Sequence, residues 1–256
     1  MPKPFWKGAI SFGMVAIPVR MSIATQSKQP SFRFLHRKCH TRPKQVLYCP
    51  KDDEYISRAD TVRGYEYAKN QYVVFEDEDF DKVPVKTSHS IDIKGFARID
   101  EIDPIYYEGS HYLEPEEMGL KPFLMLKNIL EKKELAGIAK VAFQRREHLC
   151  CLRPFEEIMA LHTINYQENI LSPEDMAPKE VELDDAEMDM AAKLVDAMTT
   201  GFQPEKYHDE YAVALQELVE AKLQGIEPEV PEEPKAEIKD LMEALRASVE
   251  AATKSQ

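Results

Sequence analysis

Apolar residues alternate with polar or small ones along the first part of the chain. Trp6, Gly8, Ile10, Phe12 and Met14 hold one phase, and Val15, Ile17, Val19, Met21 and Ile23 hold the other. A period of two predicts strand, and the slip after Gly13 predicts a bulge or sharp bend there. Strand patterning returns at 61–76, where Tyr65 and Tyr67, then Tyr72, Val73, Val74 and Phe75, flank a turn at Lys69 and Asn70. It returns again at 90–99, at 158–166, and as a hairpin of 138–144 with 148–153. One helix is expected within this β-rich part, over 122–133, with Phe123, Leu126, Ile129 and Leu130 on one face and Pro122 in its first turn.

Between the first two strand regions the period is lost. Residues 25–60 are punctuated by Pro30, Pro43 and Pro50 and interleave bases with Phe32, Phe34, His36 and Tyr48. So long an aperiodic stretch in a compact chain points to a functional loop. After Pro178 the pattern turns helical. Asp184 or Asp185 caps a helix with face Met188, Ala191, Val195 and Met198, stopped by Gly201. A second helix is expected over 204–224, with face Tyr207, Tyr211, Leu215 and Leu218, stopped by Gly225. From Ile226 to Pro234 proline recurs every third residue with glutamate between, the composition of an extended linker. Ile238, Leu241, Met242, Leu245 and Val249 then mark a short amphipathic helix, which needs a partner surface to be stable. Its expected role is a tethered docking peptide.

The expected fold class is therefore mixed and mainly β, because long alternating strands suit a barrel. The organisation is a β-barrel core over 1–178 interrupted by the aperiodic basic stretch at about 25–60, a helical arm over 179–225, a linker over 226–235 and a docking tail over 236–256.

Charge changes this picture more than composition does. The first 51 residues contain ten bases and no acid, although the chain as a whole has 46 acids against 33 bases. Surfaces that are merely soluble intersperse the two signs, so the segregation marks a polyanion site. Lys28, Arg33, Arg37, Lys38, Arg42, Lys44 and Lys51 fall in the aperiodic stretch, whereas Lys7 and Arg20 fall on strands. No recognition helix or zinc-finger spacing accompanies them, so contact with phosphates, without reading of bases, is expected. Arg145 and Arg146, at the tip of the later hairpin, are second-rank candidates for the same polyanion contact.

Catalytic chemistry is not expected, and the chain reads as a non-enzyme. Gly8 and Gly13 have the spacing of a phosphate loop, but Met14 and Val15 stand where lysine and a hydroxyl residue belong. The acidic run at 77–81 reads as a solvated face. His36, Cys39, His40 and Cys49 offer metal-ligand types, yet the second pair ends in Asp52 and not in a second cysteine, so no metal or other cofactor is assigned. The alternatives are a metal-dependent nuclease and an RNA-binding scaffold. Four cysteines, two of them adjacent at Cys150 and Cys151, form no disulfide framework and suit a reducing cytoplasm. No signal peptide, membrane span or membrane partner is expected.

Several stretches together resemble the bacterial Ku family. They are Trp6-Lys-Gly-Ala-Ile-Ser-Phe-Gly-Met-Val-Ala-Ile-Pro-Val19, Arg63-Gly-Tyr-Glu-Tyr67 with Tyr72-Val-Val74, and Asp100-Glu-Ile-Asp-Pro-Ile-Tyr-Tyr107. Arg146-Glu-His-Leu149 with Leu152-Arg-Pro154, Lys206-Tyr-His-Asp-Glu-Tyr211 and Leu241-Met-Glu-Ala-Leu245 continue the resemblance in collinear order. It implies a Ku-type β-barrel core with an inserted bridge. It also implies a homodimer that encircles double-stranded DNA ends in non-homologous end joining, in the cytoplasm at the nucleoid. An ATP-dependent DNA ligase would be recruited through the C-terminal region, here Ile238, Leu241, Met242, Leu245 and Val249. Many members carry a lysine-rich tail. Residues 155–256 here hold eight bases against 25 acids, so no further DNA contact is expected from them.

Overall fold

The computed structural model describes residues 3–83, 89–144, 146–176, 178, 181–226 and 241–254. The alternating run at the start forms two strands, β1 (Pro4–Phe12) and β2 (Val15–Ile23). The phase slip is thus a two-residue hairpin turn and not a bulge inside one strand: Phe12 pairs with Val15, and Gly13 takes φ +58. Only glycine reaches that conformation without steric cost, and tight hairpin turns require it. The insertion after β2 holds β3 (Leu47–Cys49) with β4 (Glu54–Ile56), β5 (Arg63–Ala68) with β6 (Gln71–Phe75), and a one-turn helix α1 (Asp77–Asp81). Then come β7 (Ser90–Arg98), β8 (Tyr107–Pro115), helix α2 (Leu120–Lys133), β9 (Leu135–Phe143), β10 (Arg146–Phe155) and β11 (Ile158–Ile164).

Seven strands close into a barrel in the order β1-β2-β8-β11-β10-β9-β7, and the β1–β7 seam is parallel. Ile10, Ile17, Val19, Met21, Ile91 and Leu113 fill it from one side, and Val141, Leu152, Met159 and Leu161 from the other. Strand β8 sits between β2 and β11 and was not legible from its period. Among Tyr107, Glu108, Gly109, Ser110, His111, Tyr112 and Leu113, only Leu113 is a fully buried apolar residue. Helix α2 packs on the barrel through Phe123, Leu126 and Leu130, joined by the stem of Lys127. Ile129, expected on that face, is half exposed, because the buried stripe passes one residue to its side.

A smaller cluster lies on the outer phase of the same strands. Ala136, Cys151 and Ile164 are covered there by Ile102, Tyr106 and Tyr107. The adjacent cysteines are thereby explained: Cys150 faces the barrel interior and Cys151 the outer cluster, so neighbours on one strand serve two cores.

A second compact unit comprises residues 28–32 and 173–256. It holds α3 (Asp185–Met198), α4 (Glu210–Leu223) and α5 (Leu241–Lys254). Asp184 caps α3 by accepting from the amides of Ala186 and Glu187. The expected α3 face is rotated: Met188, Val195 and Met198 are exposed, and the half-buried residues are Met190, Ala191, Leu194 and Ala197. Two apolar stripes compete on this helix, and α5 packs along the second. The predicted second helix is shorter than 204–224. Asp209 caps α4 through the amide of Ala212, which leaves Tyr207 before the helix, and Tyr211 points to solvent. Gly225, at φ +76, ends the segment as expected. Among the described residues of this unit none is fully buried.

Candidate nucleic-acid interface

The insertion is rooted at one mouth of the barrel. The amide of Ala24 donates to the carbonyl of Ser110 at 3.2 Å as the chain leaves β2, and the amide of Ala9 donates to the carbonyl of His89 at 3.1 Å where it returns. Beside these roots the mouth is filled by rings: Phe143 stacks on His148 at 4.3 Å and meets His111 and Phe5 edge-on. Trp6 ties β1 to β9 by donating its indole N–H to the carbonyl of Ala142 at 3.1 Å. Burial holds the His111 and His148 imidazoles below their ordinary titration range. Arg146 opens β10 at the same mouth and is exposed, while Arg145 lies outside the described residues.

Along the insertion the backbone presents bases at its corners. His36 and Thr41 close a turn, with the amide of His36 donating to the carbonyl of Thr41 at 2.9 Å and the amide of His40 to that of His36 at 2.8 Å. Arg37 and Lys38 occupy its tip. Arg33, Arg42 and Lys44 lie on the extended segments either side, and Lys28 belongs to the part grouped with the helical unit. Lys51 caps the β3–β4 turn among Asp52, Asp53 and Glu54, a mixed field unlike that of the other six. There Tyr48 donates its hydroxyl to Asp53 at 2.6 Å, and its ring meets that of Tyr55 at a tilt, 5.5 Å away.

The contrast with the barrel is electrostatic. Lys7 pairs with Glu116 at 3.6 Å, Arg20 with Glu114 at 3.7 Å, and Lys140 with Glu147 at 2.8 Å. Among the described residues Lys28, Arg33, Arg37, Lys38, Arg42, Lys44 and Lys51 are all exposed and none has an ion pair. Unpaired guanidinium and ammonium groups on an extended arm suit phosphate contact. Beyond the acid-free stretch the insertion also carries Arg58 and Arg63, and Arg63 pairs with Asp77 at 3.5 Å. They line a polar cleft with Glu76, Asp77 and Glu78, where Arg63 also sits over the Phe80 ring at 4.6 Å.

The thiols and imidazoles of the arm form separate pairs. The Nδ1 of His36 lies 3.0 Å from the Sγ of Cys39, and the Cys49 thiol donates to Asp52 at 3.0 Å. Among the described residues no three such ligands converge. Hydrogen bonds from Thr41 and then His36 lower the Cys39 thiol to about 7. On the barrel, Arg153 donates its Nε to the Nε2 of His162 at 2.8 Å, which leaves Nδ1 to donate to the hydroxyl of Ser110 at 2.9 Å. Burial, then Arg153 and His111, bring this imidazole down to about 4. A guanidinium stands where a nucleophile's base would need a carboxylate, so this pair ties β8, β10 and β11 together and activates nothing.

Two strands of the insertion were expected from their period, and both sit in a hairpin outside the barrel. In β5–β6 the side chains of Tyr65, Tyr67, Tyr72, Val73 and Val74 are exposed on both faces, and α1 covers only the base, through Phe80 on Phe75. Phe34 is 90% exposed.

Of the proposed docking residues, Ile238 lies outside the described residues, as do the side chains of Leu241 and Met242. Leu245 and Val249 are half-buried on α5, the helix that packs along α3.

A family model described as the Ku70/Ku80 beta-barrel domain matches residues 11–190, from β1 into the first turns of α3. The chain belongs to the Ku family. Its fold is accordingly the Ku β-barrel followed by C-terminal helices. A protein named non-homologous end joining protein Ku from Koribacter versatilis is 39% identical over 259 residues, covering 100% of this chain and 88% of its own length. The Ku protein of Archaeoglobus fulgidus is 38% identical, with 96% of this chain and 98% of its own length aligned. That of Symbiobacterium thermophilum is 37% identical over 98% of this chain, which spans 63% of that longer relative. Among the described residues no helix is long and apolar enough to cross a membrane.

Proposed function

We propose that the protein binds ends of double-stranded DNA in non-homologous end joining, as a ring-shaped homodimer without catalytic activity of its own. The observation that carries this reading is the basic stretch 28–51: its seven bases are exposed and, among the described residues, without an ion pair, while Lys7, Arg20 and Lys140 on the barrel strands are paired with glutamates. The names of the Ku relatives from Koribacter versatilis and Archaeoglobus fulgidus support the pathway. Contact with phosphates makes binding independent of sequence. A closed ring adds selectivity for ends by topology, because it threads onto a free terminus and cannot pass around an intact circle.

Homodimer assembly is supported by what one copy leaves uncovered. A two-stranded hairpin with apolar side chains on both faces is marginal alone. Among the described residues of the helical unit none is fully buried, so its apolar stripes are left to further cover. A second copy related by two-fold symmetry supplies both covers and brings a second basic arm. The C-terminal helix, with Leu241, Met242, Leu245 and Val249, is the proposed docking element for an ATP-dependent DNA ligase, and the site of action is the nucleoid.

Gel-shift of linear against relaxed circular duplex, over a salt series, tests the reading. Linear duplex binds and the circle does not. With roughly six phosphates neutralised, log K falls with log salt at a slope of about −5. Equal binding to small closed circles overturns the ring.

A further inference from the structure

The barrel mouth away from the arm holds a groove that end binding does not use. Strand β1 runs from Phe5 beside the arm root to Phe12 at the groove, a span of roughly 23 Å at ordinary strand rise. The groove has a volume of about 410 Å³ and lies between the β1–β2 tip and the outer side of α2. Its lining is almost wholly apolar and includes Phe12, Val15, Phe96, Met125 and Ile129. Phe12 and Phe96 meet edge-on at 5.6 Å as its floor, and each is 42% exposed. Met125 and Ile129, one helical turn apart on α2, form its wall and are half exposed. Met14 projects into solvent at the tip beside it. A contiguous apolar cleft with flexible methionines at its edge is a recognition surface, since singly scattered apolar residues need no such explanation.

Charge identifies the occupant. Lys133 lines the groove, and Lys132 and Lys121 stand exposed on the same helix. Among the described residues none of these three has an ion pair, whereas Lys127 is held by Glu131 at 3.6 Å and Glu134 acts on Arg98. In a chain of net charge −13, an unpaired ammonium group on the lining of an apolar cleft, with two more exposed on the same helix, favours an acidic occupant.

We infer that this groove docks an amphipathic helix of a partner protein, one whose apolar stripe is flanked by aspartate and glutamate. Anchors at i, i+4 and i+7 enter between the β1–β2 tip and α2, and the acidic flanks meet the lysines. The groove opens at the Phe12 end of β1, whereas the arm leaves beside Phe5 and returns at Ala9, so none of the groove residues belongs to the arm.

The test uses the full chain and a labelled synthetic helix of about 18 residues, with leucine or phenylalanine anchors and glutamate flanks, followed by fluorescence anisotropy. The expected result is saturable binding that weakens at least about tenfold in Ile129→Asp and in the Lys132→Glu, Lys133→Glu double variant, and for the same helix with lysine flanks. Linear-duplex binding of the variants stays at its wild-type value. A Lys132→Gln, Lys133→Gln variant, which places no acid at the C-terminus of α2, melts within a few degrees of wild type and weakens binding of the synthetic helix in the same direction. Equal binding by Ile129→Asp, or equal binding of the lysine-flanked helix, overturns the proposal. A change in sedimenting mass on Ile129→Asp also overturns it, by giving the groove to a contact between copies.

Discussion

Lys7 and Arg20 stand directly opposite each other on β1 and β2, and each is answered by its own glutamate, Glu116 and Glu114. Two like charges face to face on a sheet would repel, and the carboxylates compensate them. These two bases are therefore spent within the barrel. Replacing both with alanine leaves the salt dependence of duplex binding unchanged. Arg37→Ala with Lys38→Ala, at the tip of the arm turn, removes four bases from a dimer and flattens the slope by up to about 3.6, since each phosphate contact contributes about 0.9. Binding isotherms between low and moderate salt distinguish the two pairs.

Cys39 reports on the same arm. It is exposed, and its neighbours Thr41 and His36 lower its thiol to about 7, whereas burial raises Cys150 far above the ordinary range and raises Cys151 as well. The thiolate is the reactive form, so iodoacetamide at neutral pH labels Cys39 well before either buried cysteine. Linear duplex slows that labelling several-fold, because Cys39 lies between Lys38 and Arg42. Mass spectrometry of labelled peptides, with and without DNA, reads both effects.

Gly8 lies where the returning arm touches the barrel. A methyl group added there would come within 2.4 Å of the His89 carbonyl and 2.3 Å of the Trp6 ring. Neither side yields easily, as one is backbone and the other is tied to Ala142. Gly8→Ala costs about 1–3 kcal/mol by overpacking. Urea denaturation measures the loss, and the β1–β7 seam is the first place where amide exchange accelerates.

Acid acts through the barrel histidines before it reaches the carboxylates. His162 stays neutral in the folded protein down to about 4, and burial also depresses His111 and His148. In the unfolded chain an imidazole takes its proton near 6.5. The unfolded state thus binds more protons across this window, so stability falls as pH drops from about 6.5 towards 4. Urea midpoints at pH 7, 6 and 5 follow that fall, and His162→Asn makes it shallower.

Legibility in the sequence followed the strength of the local period. The β1–β2 run and the β9–β10 hairpin alternate cleanly and stood out. Strand β8 did not, because the positions that share the inward phase of Leu113 are occupied by glycine and histidine, Gly109 and His111. Their burial is satisfied by cross-strand partners, such as Thr163, whose hydroxyl accepts from the Gly109 amide. On α3 the period was right and the face wrong, since Met188 and Leu194 belong to rival stripes that only the position of α5 decides. The arm was visible through charge, a property independent of fold. Its β5–β6 hairpin read as strand, but nothing local says which sheet a strand joins.

The parallel seam between β1 and β7 has a consequence for biosynthesis. Ala9 pairs with Ser90, so the whole arm must emerge before that seam forms, and the barrel is complete only with β11, which ends at Ile164. At roughly 5–20 residues per second of translation, the nascent β1–β2 hairpin waits about 4 to 15 seconds with both edges unpaired, until β7 has been made up to Arg98. Strand edges left open so long invite pairing with a neighbouring nascent chain. Slowing translation through the arm lengthens that exposure, so solubility during synthesis depends on how fast residues 24–89 are made.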